Sequence, residues 1–366
     1  MKVLMVMTTK FEISGITNNV MNYFRYIDKS DMRMDFVVFN KVPDRLINEI
    51  EAKGGKVFRI AMRNKNPLVY IYKLQKLIRE EGYDIVHAHG NSCTLAVEML
   101  AAKLGGSKVR IAHSRNTACK HTVFHKLLRP IFDRTYTQGF ACGYDAGKWL
   151  FRDKNFKVII NGNDIDRFVY NEKVREEIRQ RYDLDNKKVV GHVGLFNYQK
   201  NHEFLINVFN ELTKLSDEYV LMLIGNGELK VEVESKVQEL GLKNKVIFVG
   251  QSLEVEKLLQ AMDIMVLPSR YEGLPNVAIE WQIACLPSVI SDKVTNEVKL
   301  TDLVKFLPLE AGAQIWATEI NQISVMNREE NKYEIIKQIT DAGFNIKENA
   351  KELKKIYKSL IPSNNN

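Results

Sequence analysis

Short apolar runs alternate with longer amphipathic stretches from one end of the chain to the other. Strand-like runs in the first half are 3–7, 35–39, 56–59, 84–88, 109–112, 139–142 and 157–160. In the second half they are 188–193, 219–224, 245–249, 263–267 and 287–290. The stretches between them repeat at helical spacing. Val20, Phe24 and Ile27 share one face, as do Ile71, Leu74 and Ile78, and Phe204, Val208 and Leu212. Repeated β-α units predict parallel sheets covered by helices on both faces. Twelve or more strands exceed one compact doubly wound sheet, so the pattern predicts two. The NGND turn after the seventh run, followed by a polar helix from Asn171, places the break within Asn161–Tyr170. The expected organisation is an N-terminal domain over 1–165, a second domain over 166–345, and a C-terminal helix with a polar PSNNN tail over 346–366.

Length and composition fit this picture. The chain has 366 residues, 45% hydrophobic and 27% charged, a globular balance that excludes a mostly disordered protein. No apolar run approaches the roughly 18–20 residues of a membrane-spanning helix. The opening MKVLMVM reads as a buried strand, too short for a signal-peptide core. Four scattered cysteines without a C-x-x-C pair read as reduced core residues. Charge is unevenly placed: 27 basic face 15 acidic residues through position 165, against 26 and 30 beyond it. The excess peaks between Lys103 and Arg134, where Asp133 is the one acid. Such a surface attracts phosphates, nucleic acid or an anionic membrane, unless it is simply solvated. No nucleic-acid-binding module is present, which sets that partner aside.

Ligands of open α/β sheets bind beyond the carboxyl ends of the strands, so the loops there hold the candidate chemistry. The loop after 263–267 reads PSRYEGLPNVAIE, with Glu272 and Glu280 eight positions apart. A helix starting near Gly273 would offer the amides of Leu274, Asn276 and Val277 to a diphosphate or to sugar hydroxyls, and Glu280 to a vicinal diol. Alternatively, Glu272 only complements the helix dipole and Glu280 is an exposed acid. Lys200, in GHVGLFNYQKNHEF, would open a helix, an awkward place for a cation unless it meets an anion; a plain surface lysine is the other reading. Ser14-Gly15-Ile16 could admit a phosphate to a helix start. The GNGELK loop lacks the third glycine of a dinucleotide fingerprint. His87-x-His89 lacks an evident third metal ligand, and Asp164-x-Asp166 sits in a turn.

Taken together, the segments DIVHAHGNS, VRIAHSRNT, NGNDIDRF, GHVGLFNYQKNHEFLI, SRYEGLPNVAIE and ISDKVTNEVKLTDLVKF resemble retaining glycosyltransferases of the GT-B fold, glycosyltransferase family 4. The likeness spans nearly the whole chain and is nearest to bacterial enzymes that assemble capsular or exopolysaccharide repeat units. It implies two Rossmann-like domains facing a cleft, with the C-terminal helix crossing back to the first. It also implies a UDP-sugar donor, a lipid-diphosphate-linked saccharide acceptor, and a cytoplasmic enzyme peripheral on an anionic membrane face. Lys200 would hold the diphosphate and Glu280 the ribose hydroxyls. Glu272 and the backbone from Gly273 through Leu274, Asn276 and Val277 would hold donor sugar and phosphates. Gly15 would approach the phosphate from the first domain, His113 would contact the donor sugar near the reacting carbon, and Gly250–Gln251 would meet the base. No metal or other cofactor is implied, because Lys200 and helix dipoles would offset the leaving-group charge.

Two positions depart from the family pattern. Leu195 stands where an arginine beside the phosphates is usual, and Arg115 stands where HSHN has its second histidine. Arg115 would supply the missing cation from across the cleft. Leu195 leaves open a sugar-nucleotide-binding homologue or partner subunit without turnover, and the shared architecture, though none of the motifs, leaves open a UDP-sugar 2-epimerase.

Overall fold

The computed structural model describes residues 1–12, 15–61, 63, 65–119, 121–324 and 326–361. The chain forms two compact units. One comprises Met1–Gly162 with Ile346–Asn366, and the other is Asn163–Asn345. The break thus falls within the anticipated turn, three residues before the expected 165, and the C-terminal segment belongs to the first unit.

The first unit is built on strands β1 (Lys2–Met7), β2 (Arg33–Val38), β3 (Val57–Arg59), β4 (Ile85–Gly90), β5 (Val109–Ser114), β6 (Gln138–Ala141) and β7 (Lys157–Val158). They lie in the order β3-β2-β1-β4-β5-β6-β7, all neighbours parallel. Central strands are apolar on both sides because helices cover both faces: Val3, Leu4 and Val6 of β1 are wholly buried. Val3 and Met5 join the core under the helix Gly15–Tyr26, while Leu4 and Val6 join the core under Pro67–Glu81 and Ala96–Leu104. The helix Ile346–Leu360 buries Ile346, Ala350, Leu353 and Tyr357, one stripe at helical spacing, in the first of these cores. Its return needs Gly162: a Cβ there would stand 2.7 Å from the Ile346 Cα.

The second unit holds β8 (Lys188–Val193), β9 (Tyr219–Ile224), β10 (Val246–Gly250), β11 (Ile264–Leu267), β12 (Ser288–Ser291) and β13 (Val304–Leu307), ordered β10-β9-β8-β11-β12-β13 and again parallel. Strand β13 escapes the hydrophobic pattern because it is an edge strand with Lys305 exposed. The strand order reverses between β8 and β11, which opens a crevice at their carboxyl ends. Among the described residues no helix is long and apolar enough to cross a membrane, and all four cysteines are free.

Candidate active site

Lys200 and Glu272, on the loops after β8 and β11, meet at that reversal point. The Lys200 Nζ lies 2.6 Å from the Glu272 Oε1, with side chains only 15% and 10% exposed. The Ser269 hydroxyl donates to the same oxygen at 3.1 Å. The two loops are stitched along their length. The Arg270 amide donates to the Gln199 carbonyl, the Gln199 side-chain amide to the Tyr271 carbonyl, and the Arg270 guanidinium to the Tyr198 carbonyl while stacking on its ring. Lys200 is fixed from its other side by its amide, which donates to the Asn197 side chain at 3.0 Å. The charged pair is therefore mounted on two loops that brace each other.

The glycines of this region serve packing. A Cβ on Gly194 would press on the Lys200 methylenes at 3.2 Å and on the His192 Nε2 at 2.9 Å. Gly225, of the GNGELK loop, has φ +145°, and a Cβ there would stand 1.9 Å from the Gly194 carbonyl oxygen. The pair of glycines that superficially resembles a dinucleotide motif thus lets the β9 loop back directly onto the Lys200 loop. Beneath lie His192 and His202, buried and 4.6 Å apart. Burial holds both on the neutral side, His192 well below the usual histidine range and His202 at about 4, with Lys200 also opposing their protonation. They add no charge to the site.

The helix carrying Glu280 starts at Asn276, three residues later than expected, with Pro275 as its cap residue and no side-chain cap. Gly273 and Leu274 form a bend ahead of it. Pro275 lacks an N–H and sits just outside the helix. The amides of Asn276 and Val277 belong to the first turn, whereas that of Leu274 does not. Glu280 is half-buried. Burial raises its carboxyl pKa to about 7, with Glu256 adding to the rise and Arg167 opposing it. Arg167 and Glu256 themselves pair at 2.7 Å. Gly250 ends β10 with φ +80° and accepts the Gly225 amide at 2.9 Å; Gln251 follows it, exposed.

The remaining sequence candidates belong to the first unit. Gly15 is the first residue of its helix, and a Cβ there would meet nothing within 4 Å; Ser14 lies outside the described residues. His113, at the end of β5, is 1% exposed. Its Nδ1 lies 2.9 Å from the His87 Nε2, and the His87 Nδ1 lies 2.6 Å from the Tyr357 hydroxyl. Arg115 is committed as well, donating to the His89 Nδ1 at 3.1 Å and to the Asn161 side chain at 2.9 Å. The fold does supply the third histidine missing from the sequence reading, since ring nitrogens of His87, His89 and His113 approach within 4.8 Å of one another. These bonds nevertheless leave only the Nε2 atoms of His89 and His113 without a partner among the described residues, next to a guanidinium. Because the His89 Nδ1 accepts from Arg115, its Nε2 carries the proton, and the one further nitrogen, on His113 beside a guanidinium, does not suit a metal ion. Burial keeps all three histidines well below their usual pKa, and Arg115 reinforces this.

Ser269, Gln199 and Arg270 are site residues that sequence reasoning misses. A hydroxyl three positions before Glu272 is the available signal for Ser269. The other two act largely through backbone carbonyls and leave no signal.

This geometry agrees with comparisons to known proteins. Residues 13–190 match the family described as Glycosyltransferase Family 4, and residues 174–340 match Glycosyl transferases group 1. A Bacillus subtilis protein that bears the name glycosyltransferase EpsF is 33% identical over 360 residues, covering 94% of this chain and 93% of its own. The UDP-Gal:alpha-D-GlcNAc-diphosphoundecaprenol alpha-1,3-galactosyltransferase of Escherichia coli is 26% identical over 80% of this chain and 79% of that one. Among solved structures, Anabaena HepE in complex with UDP superimposes with a TM-score of 0.77 at 18% identity over 98% of this chain and 100% of that one. With the two family matches together spanning residues 13–340 and a 33% identical relative covering 94% of the sequence, the chain belongs to the family 4 glycosyltransferases of the GT-B fold.

Proposed function

We propose that this glycosyltransferase works in bacterial surface polysaccharide synthesis and moves a hexose or N-acetylhexosamine from a UDP-sugar to a lipid-linked saccharide, with retention of anomeric configuration and without a metal. The observation that carries the reading is the Lys200–Glu272 pair at the strand-order reversal. A diphosphate leaving group gains negative charge as the glycosidic bond breaks. A lysine ammonium beside an uncapped helix start stabilises that charge in the transition state more than in the ground state. Glu272 neutralises Lys200 in the free protein and is then placed to accept hydroxyls of the donor sugar. Glu280, when ionised, accepts the two ribose hydroxyls. The acceptor hydroxyl attacks on the face the nucleotide leaves, and a departing phosphate oxygen takes its proton. His113 becomes a positioning residue that supports His87 and the loop carrying Arg115.

The choice of donor is supported by the HepE complexes with UDP and UDP-glucose, and the acceptor class by the diphosphoundecaprenol in the name of the Escherichia coli relative. The test is a thermal-shift screen of nucleotide sugars followed by transfer to a lipid-linked sugar, with the product anomer assigned by NMR. A ligand at 100 times its dissociation constant adds about 2.7 kcal/mol of stability. An inverted product refutes the stereochemistry, and failure of every UDP-sugar to bind refutes the donor class. Binding without turnover supports the inactive-homologue reading. One observation favours that reading: Leu195 is 63% exposed and apolar where a phosphate-binding arginine is usual.

A further inference from the structure

The second unit begins inside the segment NGNDIDRF, and the short helix Ile165–Phe168 there is fixed at both ends. The Asp164 side chain accepts the Arg167 amide at 3.3 Å, and the Val169 amide donates to the Ile165 carbonyl at 2.9 Å. Ile165 and Phe168 are buried, whereas the Arg167 side chain stays 40% exposed. The helix packs against two others: Asn276–Ile283, which carries Glu280, and Val255–Ala261, which follows the loop after β10. Its attachment to Val255–Ala261 is made of several bonds. The Gln260 side chain donates to the Phe168 carbonyl and accepts the Asn171 amide, both at 3.2 Å. Arg175 donates to the Gln260 and Met262 carbonyls at 3.0 Å. Arg167 donates to Glu256 at 2.7 Å and, more weakly at 3.5 Å, to the carbonyl of Leu253, in the loop that also holds Gln251.

This scaffold sets one cation and one anion beside the helix of Glu280. The charged groups on the surrounding elements are Asp164, Asp166 and Arg167 at the entry helix, Glu254, Glu256 and Lys257 at the start of Val255–Ala261, and Arg328, Glu329 and Lys332 at the start of the helix Arg328–Asp341, which also packs on the Glu280 helix. Several are engaged with one another or elsewhere. Lys257 pairs with Glu254 at 2.6 Å, Lys332 pairs with Glu329, and Arg328 donates to the Ala284 carbonyl at 2.8 Å, past the far end of the Glu280 helix. The charges that bear on the Glu280 carboxyl are those of Arg167, which favours its ionisation, and Glu256, which opposes it. Arg167 gives its hydrogen bonds to Glu256 and Leu253, so it acts on Glu280 through charge.

We propose that Arg167 and Glu256 are positioning residues for nucleotide recognition: they tie the loop after β10 to the segment that enters the unit, and their opposed charges set the pH below which Glu280 stops accepting the ribose hydroxyls. This rests on the ribose role of Glu280 given above. A half-buried carboxyl with Glu256 as its sole charged neighbour would hold its proton at neutral pH and could accept fewer hydrogen bonds from a diol. Arg167 offsets that neighbour twice, by pairing with it and by adding a positive charge of its own.

The test is UDP-glucose affinity by calorimetry from about pH 5.5 to 8.5. UDP-glucose is the probe because its diphosphate, esterified at both ends, does not titrate in that range. In the natural protein the affinity should reach half its high-pH value near pH 7. Arg167→Gln should move that midpoint up by at least about half a unit, and Glu256→Gln should move it down by a similar amount. Arg167→Lys keeps the charge and should stay near the natural midpoint. Both glutamine variants break the same ion pair, so a purely structural role would weaken binding in both at every pH and shift neither midpoint. In a Glu280→Gln background the profile should be flat with or without Arg167→Gln. Glu256→Gln carries the test by itself if Arg167→Gln does not fold. Midpoints that coincide in the natural protein and the glutamine variants, or that move in the same direction, overturn this inference alone. A natural protein that binds UDP-glucose equally at every pH, or not at all, overturns the ribose role of Glu280 and this inference with it.

Discussion

Replacing Lys200 by Met separates the two duties of the charged pair. At 2.6 Å the gross attraction between Lys200 and Glu272 is about 6 kcal/mol at an effective dielectric constant of about 20, most of it offset by desolvation. The variant leaves the Glu272 carboxylate 10% exposed without its cation, though Ser269 still donates to it. Breaking a fully buried pair costs about 3–5 kcal/mol, and the residual exposure and the serine bring the expectation here to about 2–3 kcal/mol. Adding Glu272→Gln removes the orphaned charge and should return most of that loss. Ligand binding should not recover with it. Losing one charge-assisted hydrogen bond to a diphosphate costs about 1.5–3 kcal/mol, or roughly 10- to 150-fold in UDP affinity, and the double variant retains that deficit. If the leaving-group charge is stabilised by a further 3 kcal/mol or so in the transition state, kcat falls about 100-fold. Stability can be read from this unit alone. Of the three tryptophans, Trp281 and Trp316 are wholly buried in the second unit and Trp149 lies in the first, so denaturant titrations in a Trp149→Phe background report the second. A Lys200→Met protein that unfolds like its parent and binds UDP within twofold would refute the assignment.

Other measurements probe separate parts of the same picture. With Glu280 raised to about 7, only its ionised form accepts the ribose hydroxyls, so affinity for UDP-glucose should fall as pH drops below 7, by up to about tenfold per unit. Calorimetry in buffers of different ionisation enthalpy should show proton release on binding near pH 7. Glu280→Gln should abolish both effects, and a pH-independent parent would exclude this role. The trio His87, His89 and His113 stays neutral in the folded first unit and takes up protons on unfolding. Its contribution is complete above about pH 6.5 and is lost as pH falls below that, each histidine by about 1.4 kcal/mol per unit and the three by about 4. A flat unfolding midpoint between pH 6.5 and 5 for this unit would contradict that. Leu195→Arg, at a site 63% exposed, should leave stability within about 0.5 kcal/mol and raise kcat/KM about tenfold or more if the enzyme turns over. Because Arg115 is held by His89 and Asn161, the gain should be the same in an Arg115→His background. A smaller gain in the natural background would restore the idea that Arg115 compensates for Leu195.

The alternating architecture was readable because parallel strands buried on both faces leave unbroken apolar runs, as β1 and β9 do. Strand β13 was not, since an edge position tolerates an exposed lysine inside a four-residue strand. The late start of the Glu280 helix follows from backbone terms: Gly273 favours a bend, and Pro275 has no amide to give. His113 illustrates a different gap. A strand-end histidine looks the same in sequence whether it faces ligand or interior, and here His113 meets His87, whose other ring nitrogen meets Tyr357 of the C-terminal helix. The departures at Leu195 and Arg115 were legible as residues, but the commitment of Arg115 to His89 and Asn161 could come only from three-dimensional contacts.

The encounter of Lys200 with Glu272 shows why motif spacing and site geometry are separate kinds of information. The two residues are remote in sequence, and nothing local to either announces the other. They meet because β8 and β11 are neighbours in the sheet although β9 and β10 intervene in the chain, so the loops after β8 and β11 flank the one place where connections diverge to opposite sides. A cation fixed there without a partner would strain the empty protein, and one neutralised permanently would be useless to a diphosphate. On the function proposed above, a carboxylate on the facing loop satisfies both demands: it compensates the lysine when the site is empty and would turn to hydroxyl groups once phosphate oxygens took its place. The cost of that exchange falls on ligand binding, so the diphosphate must displace Glu272, and donor affinity should be more sensitive to ionic strength than the stability of the free protein.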